Sequence, residues 1–278
     1  MRQIKHNLNL FAGIALLAIF GAPKADLWPR WQKHDPASTQ KIDHNAWDIF
    51  LKKYVTAHPS GINRVRYQAV SEDDRKALKS YLQDLQSLSV SSYNRAEQRA
   101  YWINLYNALT VELILSRYPV SSIRDINISP GLLSRGPWDA KLLMIEGEKL
   151  SLNDVEHRIL RPVWKDARIH YAVNCASLGC PNLQPVAYTA ENTESLLERE
   201  AREYVNHPRG VAIRNGKLRV SSIYVWFQED FGGSVEGLME HWLKYAEKSL
   251  AEALKAYSGG LEHEYDWSLN SPDQKLQP

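Results

Sequence analysis

The chain has little cysteine, little phenylalanine and few long apolar runs. Only two of its 278 residues are cysteine, Cys175 and Cys180. A framework of several disulfides is therefore excluded, and the core must form by apolar burial. Five Phe stand against nine Trp and 14 Tyr, so the aromatic surface is mostly amphipathic and suits a core, a cleft or an interface. Neither sign of charge dominates: the formal net charge is +2 and the pI is near 8.4. That balance argues against nucleic acid or an acidic membrane surface as a partner. A nucleotide-binding glycine loop, a GxSxG elbow and an HExxH helix are all missing from the sequence. No internal repeat divides it.

The one long apolar stretch is N-terminal. Arg2, Lys5 and His6 precede Leu10 to Ala22, which carries no charge. This run is shorter than the ~20 residues a spanning helix needs and fits the core of an export signal. Residues 1–25 are therefore expected to be a signal peptide or an uncleaved N-terminal anchor, with the mature protein periplasmic or secreted. No later segment has the length or apolarity of a membrane span. Residues 26–38 read as a linker, and residues 39–278 as one α+β domain.

Within that domain the periodicities predict a helix from Thr39 to Thr56, with Ile42, Ala46, Ile49, Phe50 and Val55 near one face. A short strand is expected over Val65–Val70, followed by a helix capped by Ser71 and running to Leu88. Arg95 to Arg117 is apolar nearly all round and should be the central buried helix. Leu142–Leu152 reads as a hairpin around Glu146-Gly147-Glu148, and a short helix from Ser151 should end at Pro162. Arg168 to Asn174 alternates like a strand, and Cys175 to Pro185 reads as a loop. A helix over Thr189–Asn206 should turn Leu196, Leu197, Ala201 and Tyr204 inward. Asn215-Gly216 gives the strongest hairpin signal, and a helix through Leu238, Trp242 and Tyr245 follows Gly232-Gly233-Ser234.

The cysteines are the sharpest chemical signal. A turn through Gly179 permits a Cys175–Cys180 disulfide closing a very small loop. Alternatively, Cys175 is a free thiolate nucleophile. A nucleophile needs a base, and His170 is the nearest histidine in sequence. On a straight strand, however, positions five apart face opposite sides, so a bend near Asn174 would be required. His157 is a second candidate base. Glu156 beside it should point elsewhere on its helix, yet could orient a group folded against it. For each histidine the plain alternative is a hydrogen-bonded structural residue. Glu156, His157 and His170 match no standard zinc spacing, so no metal and no cofactor is expected. Asn104 and Asn107 share one face of the apolar helix and must be satisfied there, by neighbouring backbone or by the Cys175 loop.

Taken together, these motifs resemble a known family. Ala100-Tyr101-Trp102-Ile103-Asn104-Leu105-Tyr106-Asn107-Ala108-Leu109, Leu152 to Arg161, Arg168 to Cys175, Cys180-Pro181 and Asp230-Phe231-Gly232-Gly233 occur in order. The set is similar to the domain of unknown function 547 family, over about Ala46 to Asn270. The resemblance implies a fold similar to the papain and transglutaminase type, with a central helix packed on a mostly antiparallel sheet and His170 on a strand. Those enzymes carry their cysteine on the central helix, which has none in this sequence. Two functions remain open. One is a thiol-dependent hydrolase or acyl transferase, with Cys175 attacking, His170 or His157 as base, Glu156 or Asn174 orienting, and backbone amides near Ser177 forming an oxyanion hole. The other is a non-catalytic periplasmic binding or scaffolding module that takes a peptide, acyl or glycan ligand on an aromatic rim including Trp226.

Overall fold

The computed structural model describes residues 23–131 and 134–272. Most of the expected signal or anchor segment lies outside the described residues. Residues 26–38 are not a linker. Trp31 is buried and packs edge-on against Trp102 at 5.2 Å, while the backbone amides of Asp26 and Trp28 donate to the carbonyls of His157 and Arg158. Two indoles in a short segment carry enough apolar area to hold it on the core, which a count of charges and prolines does not reveal.

Helix α1 (Asn45–Tyr54) starts later than its periodicity suggested. Trp47, Phe50, Leu51 and Tyr54 form its buried face, at the spacing of one helical side, and Ile49 is exposed. A two-strand ribbon of β1 (Val55–Thr56) and β2 (Arg64–Val65) follows. The strand expected to reach Val70 stops there, and Tyr67–Ala69 turns as a 3-10 helix. Ser71 caps α2 (Glu72–Ser87) by accepting from the Asp74 amide.

Helix α3 (Arg95–Arg117) begins where Asn94 caps it and has every residue from Glu97 to Val111 buried. It packs against α2, α6 (Thr193–Asn206) and the wide helix that precedes α4 (Arg161–Trp164). The α+β class holds, with the strands forming three small sheets and helices enclosing most of α3. Strands β3 (Leu143–Ile145) and β4 (Glu148–Leu150) pair across Glu146-Gly147. Strands β5 (Val211–Arg214) and β6 (Lys217–Ser221) pair across Asn215-Gly216. All four turn residues have positive φ, as two-residue hairpins require. Strand β7 (Leu261–Glu264) joins β6 in parallel, after the helices α7 (Ser222–Trp226), α8 (Val235–Tyr245) and α9 (Lys248–Ala256).

Two further expectations are corrected. Pro162 does not end its helix, which continues through Trp164. Arg168 to Asn174 is not a strand, because Ile169–Ala172 forms the one-turn helix α5. Ile169, His170, Tyr171, Ala172 and Val173 are all buried, so the apparent alternation marked no half-exposed sheet face. Among the described residues no helix is long and apolar enough to cross a membrane.

Candidate active site

The site forms where two apolar clusters meet. Leu196 and Leu197 of α6 belong to the larger cluster around α3, and Ala201, Tyr204 and Val205 to the smaller one around α7 and α8. Helix α5 is divided the same way, with Tyr171 in the smaller cluster and Ile169 in the larger. A cavity of about 450 Å³ lies between them, and its walls include Glu156, His157, His170, Cys175 and Cys180.

The side-chain amides of α3 hold the cysteine segment. Asn107 donates to the Ala172 carbonyl at 2.8 Å and accepts the Asn174 amide at 2.8 Å. It thereby acts as a one-residue strand partner for a segment that has none. Asn104 does the same for Tyr188, donating to its carbonyl at 2.8 Å and accepting its amide at 3.0 Å. Asn174 then closes the cysteine loop, donating to the Pro181 carbonyl and accepting the Ala176 amide. Its role is therefore to shape the loop, and it does not line the cavity. Ala176 is held at φ +58, a left-handed conformation costly for a residue with a Cβ. Gly179 passes so close to the chain that a Cβ would lie 2.9 Å from the Asp266 amide nitrogen.

Cys175 and Cys180 are free thiols with sulfurs 3.1 Å apart, and the expected disulfide is not formed. Cys175 Sγ also lies 3.2 Å from Ser177 Oγ and 3.0 Å from Tyr265 Oη. Burial pushes the Cys175 thiol up, but hydrogen bonds from Cys180, Ser177 and Tyr265 outweigh it and hold the thiol below its ordinary value. Burial and the neighbouring Cys175 push the Cys180 thiol well up. The pair is thus unequal, with Cys175 the more acidic of the two thiols. Most of the amides flanking Ser177 are already engaged. The amides of Cys175, Ala176, Leu178, Gly179 and Cys180 all donate within the protein.

Glu156 and His157 sit on a π-helix, Asp154–Leu160, in which the Arg161 amide donates to the Glu156 carbonyl five residues back. The wider turn brings consecutive side chains nearer to one face than an α-helix does. The expectation that Glu156 points away is therefore overturned: both residues face the cavity. Glu156 Oε1 lies 3.9 Å from His157 Nδ1 and 3.7 Å from His170 Nδ1.

The two histidines differ in what their rings can do. Arg161 Nη1 donates to His157 Nδ1 at 3.0 Å, which places the His157 proton on Nε2. Burial, reinforced by the Arg161 charge, pushes His157 down to about 4. It stays neutral and has no free lone pair. His170 donates from Nε2 to Asp230 Oδ2 at 2.6 Å, and Asp230 also receives Arg161 Nε at 2.5 Å. The His170 ring stacks on Phe227 with centroids 4.3 Å apart. A carboxylate therefore faces each ring nitrogen of His170. Asp230 is placed by the 3-10 turn Gln228–Phe231. That turn ends at Gly232 (φ +104), where a Cβ would strike the Gly237 backbone. No histidine nitrogen bonds Cys175 Sγ among the described residues, and the thiol and both histidines instead face one cavity.

An aromatic wall completes the site. Trp226 stacks on Trp267 at 5.7 Å, and Tyr265 meets Trp267 at 4.6 Å. Asp230, Arg161, Tyr106 and Tyr265 were not recognised from sequence as site residues, although the first three lie within the motifs of the family resemblance and Tyr265 within a conspicuous aromatic tail.

A half-buried thiol beside a buried one, a carboxylate-held histidine and an aromatic wall share this cavity in an α+β domain. Residues 90–205 match the family described as Protein of unknown function, DUF547, and this part of the chain belongs to that family. Tyr106, Glu156, His157, His170 and both cysteines fall inside the matched segment, while Trp226, Asp230 and Tyr265 come from beyond it. Comparison with curated proteins and with solved structures finds no match, which leaves the papain and transglutaminase likeness without support from a known structure.

Proposed function

We propose that the protein is an exported thiol-dependent hydrolase or acyl transferase with Cys175 as nucleophile. The observation that carries this reading is that a thiol held below its ordinary value by hydrogen bonds with Cys180, Ser177 and Tyr265 shares one cavity with a histidine clamped by Asp230. Export rests on the N-terminal pattern of positive head and short apolar core. In the reaction the Cys175 thiolate attacks an acyl carbonyl carbon and forms a thioester, while the bond to the leaving group breaks. His170 gives that group its proton, and the carboxylate of Glu156 faces the nitrogen through which the proton passes. Water, or an acceptor hydroxyl or amine, then attacks the thioester carbon and gives its proton back to His170, while the carbon–sulfur bond breaks and restores the thiolate. The tryptophan wall suits an acyl or peptide substrate with an apolar side group.

The rival reading is a binding module for a peptide or glycan, favoured by the aromatic wall and by the lack of a direct histidine–thiol bond. Intact-mass measurement after incubation with p-nitrophenyl acyl esters and acyl thioesters separates the two. A stoichiometric acyl adduct, absent from Cys175→Ala and long-lived in His170→Asn, supports catalysis. No adduct and no turnover with any of them, in a protein that still binds peptides or glycans, would sink it. Fractionation of cells expressing the full chain tests export.

A further inference from the structure

A second cavity, of about 390 Å³, shares Tyr265 with the first and is lined by Arg209, Arg214, Arg219, Glu264 and Asp266. Arg209 is held from two sides, with Nη1 donating to the Leu178 carbonyl at 3.1 Å and Nη2 to Asn182 Oδ1 at 2.7 Å. Its Nε is buried and has no acceptor among the described residues. Arg64, only 2% exposed, stands close enough to repel Arg209, and its Nε and Nη1 also lack acceptors. Two guanidinium groups this close, with three N–H-bearing atoms unsatisfied, are costly unless an anion lies between them.

The carboxylates nearby do not fill that role. Arg219 is engaged with Glu262 at 3.5 Å and Glu264 at 3.9 Å. Asp266 accepts the Ser268 amide at 2.8 Å and attracts Arg64 from beyond ion-pair distance, forming no ion pair with Arg64, Arg209 or Arg214 among the described residues. Arg214 is exposed and likewise has no ion-pair partner there. The cavity thus carries Arg209, Arg214 and Arg219 against Glu264 and Asp266, and Arg64 adds a further buried charge beside Arg209. We propose that this cavity binds an oxyanion (phosphate, sulfate or a carboxylate group), gripped by Arg209 with Arg214 and neutralising Arg64. Planar N–H forks match such oxygens bidentately. The site is independent of the acyl chemistry. It touches the cysteine loop from outside, through Leu178 and Gly179.

Calorimetry and thermal unfolding of the full chain with sodium phosphate, sulfate and glutarate, each against sodium chloride at equal ionic strength, test it. A saturable heat and a rise in Tm beyond that in chloride are expected. Arg209→Gln should weaken the binding roughly tenfold or more. Arg214→Gln, at an exposed position, should fold normally and still bind more weakly. Ranking the three anions separates phosphate-like from carboxylate ligands. Cys175→Ala should bind like the wild type, so a failed catalytic reading leaves this result untouched. Shifts no larger than in chloride, or equal binding by wild type and Arg214→Gln, would overturn the proposal.

Discussion

Asp230 and His170 are joined by a 2.6 Å hydrogen bond that brings together residues 60 positions apart. The carboxylate fixes the Nε2 proton and leaves Nδ1 facing Glu156. In Asp230→Asn that restraint weakens and Arg161 loses its charged partner. Turnover of any acyl substrate should fall at least ~100-fold, with labelling of Cys175 changed only a few-fold. Nitrogen-15 spectra of the imidazoles check the cause directly. Wild type should show a His170 Nε2 proton that exchanges slowly, and an unchanged His170 signal in the variant would refute the assigned role.

Tyr265 Oη lies 3.0 Å from Cys175 Sγ and its hydrogen bond holds the thiol down, so its removal should raise the thiol's pKa. Tyr265→Phe keeps the ring against Trp226 and Trp267 and deletes only the hydroxyl. Iodoacetamide labelling of wild-type Cys175 should have its midpoint below the ~8.5 of a free cysteine. The variant's midpoint should move up, with labelling at pH 7 slowed by up to about tenfold. An unmoved midpoint would mean that the phenol does not act on the thiolate.

Asn107 and Asn104 each make two buried hydrogen bonds to backbone, but only Asn107 holds the α5–Cys175 segment. Either change to Ala should cost about 2–4 kcal/mol by urea unfolding, since it strands a buried amide and carbonyl. Cys175 labelling should respond strongly in Asn107→Ala and weakly in Asn104→Ala. Equal responses would show that the loop is held by other contacts.

Stability should decline in two stages as pH falls. Burial pushes His44 and His157 down to about 4 from the ordinary 6.5. The unfolded chain therefore takes up protons that the folded state refuses. Stability is full above about 6.5 and is lost progressively toward about 4, by up to about 3 kcal/mol for each ring. For Asp230, burial raises the carboxyl, but hydrogen bonds from His170 and Arg161 outweigh it and hold the group at about 2. Its contribution, about 2 kcal/mol, is present above about 3.8 and disappears toward about 2. Urea midpoints between pH 8 and 3 should fall, with a shallower first stage in His44→Gln. A flat profile above pH 4 would contradict the buried neutral histidines.

Much of the framework was legible in the chain. Ser71 caps its helix, Glu146-Gly147 and Asn215-Gly216 turn their hairpins, and the all-round apolar α3 is the buried helix. Each is decided within a few residues by local hydrogen bonding, steric limits on φ, or the period of apolar side chains. The sequence by itself also determined which residue types were available for chemistry: a single close cysteine pair and few histidines near it. Only the tertiary structure decided how they meet. It turned Arg168–Asn174 into a buried helical turn held by Asn107, and widened one helix so that Glu156 and His157 share a face. It also brought Asp230 and Tyr265 from distant segments to the histidine and the thiol. These outcomes depend on long-range packing and on the need to satisfy buried polar groups, and neither leaves a periodic mark on the local sequence.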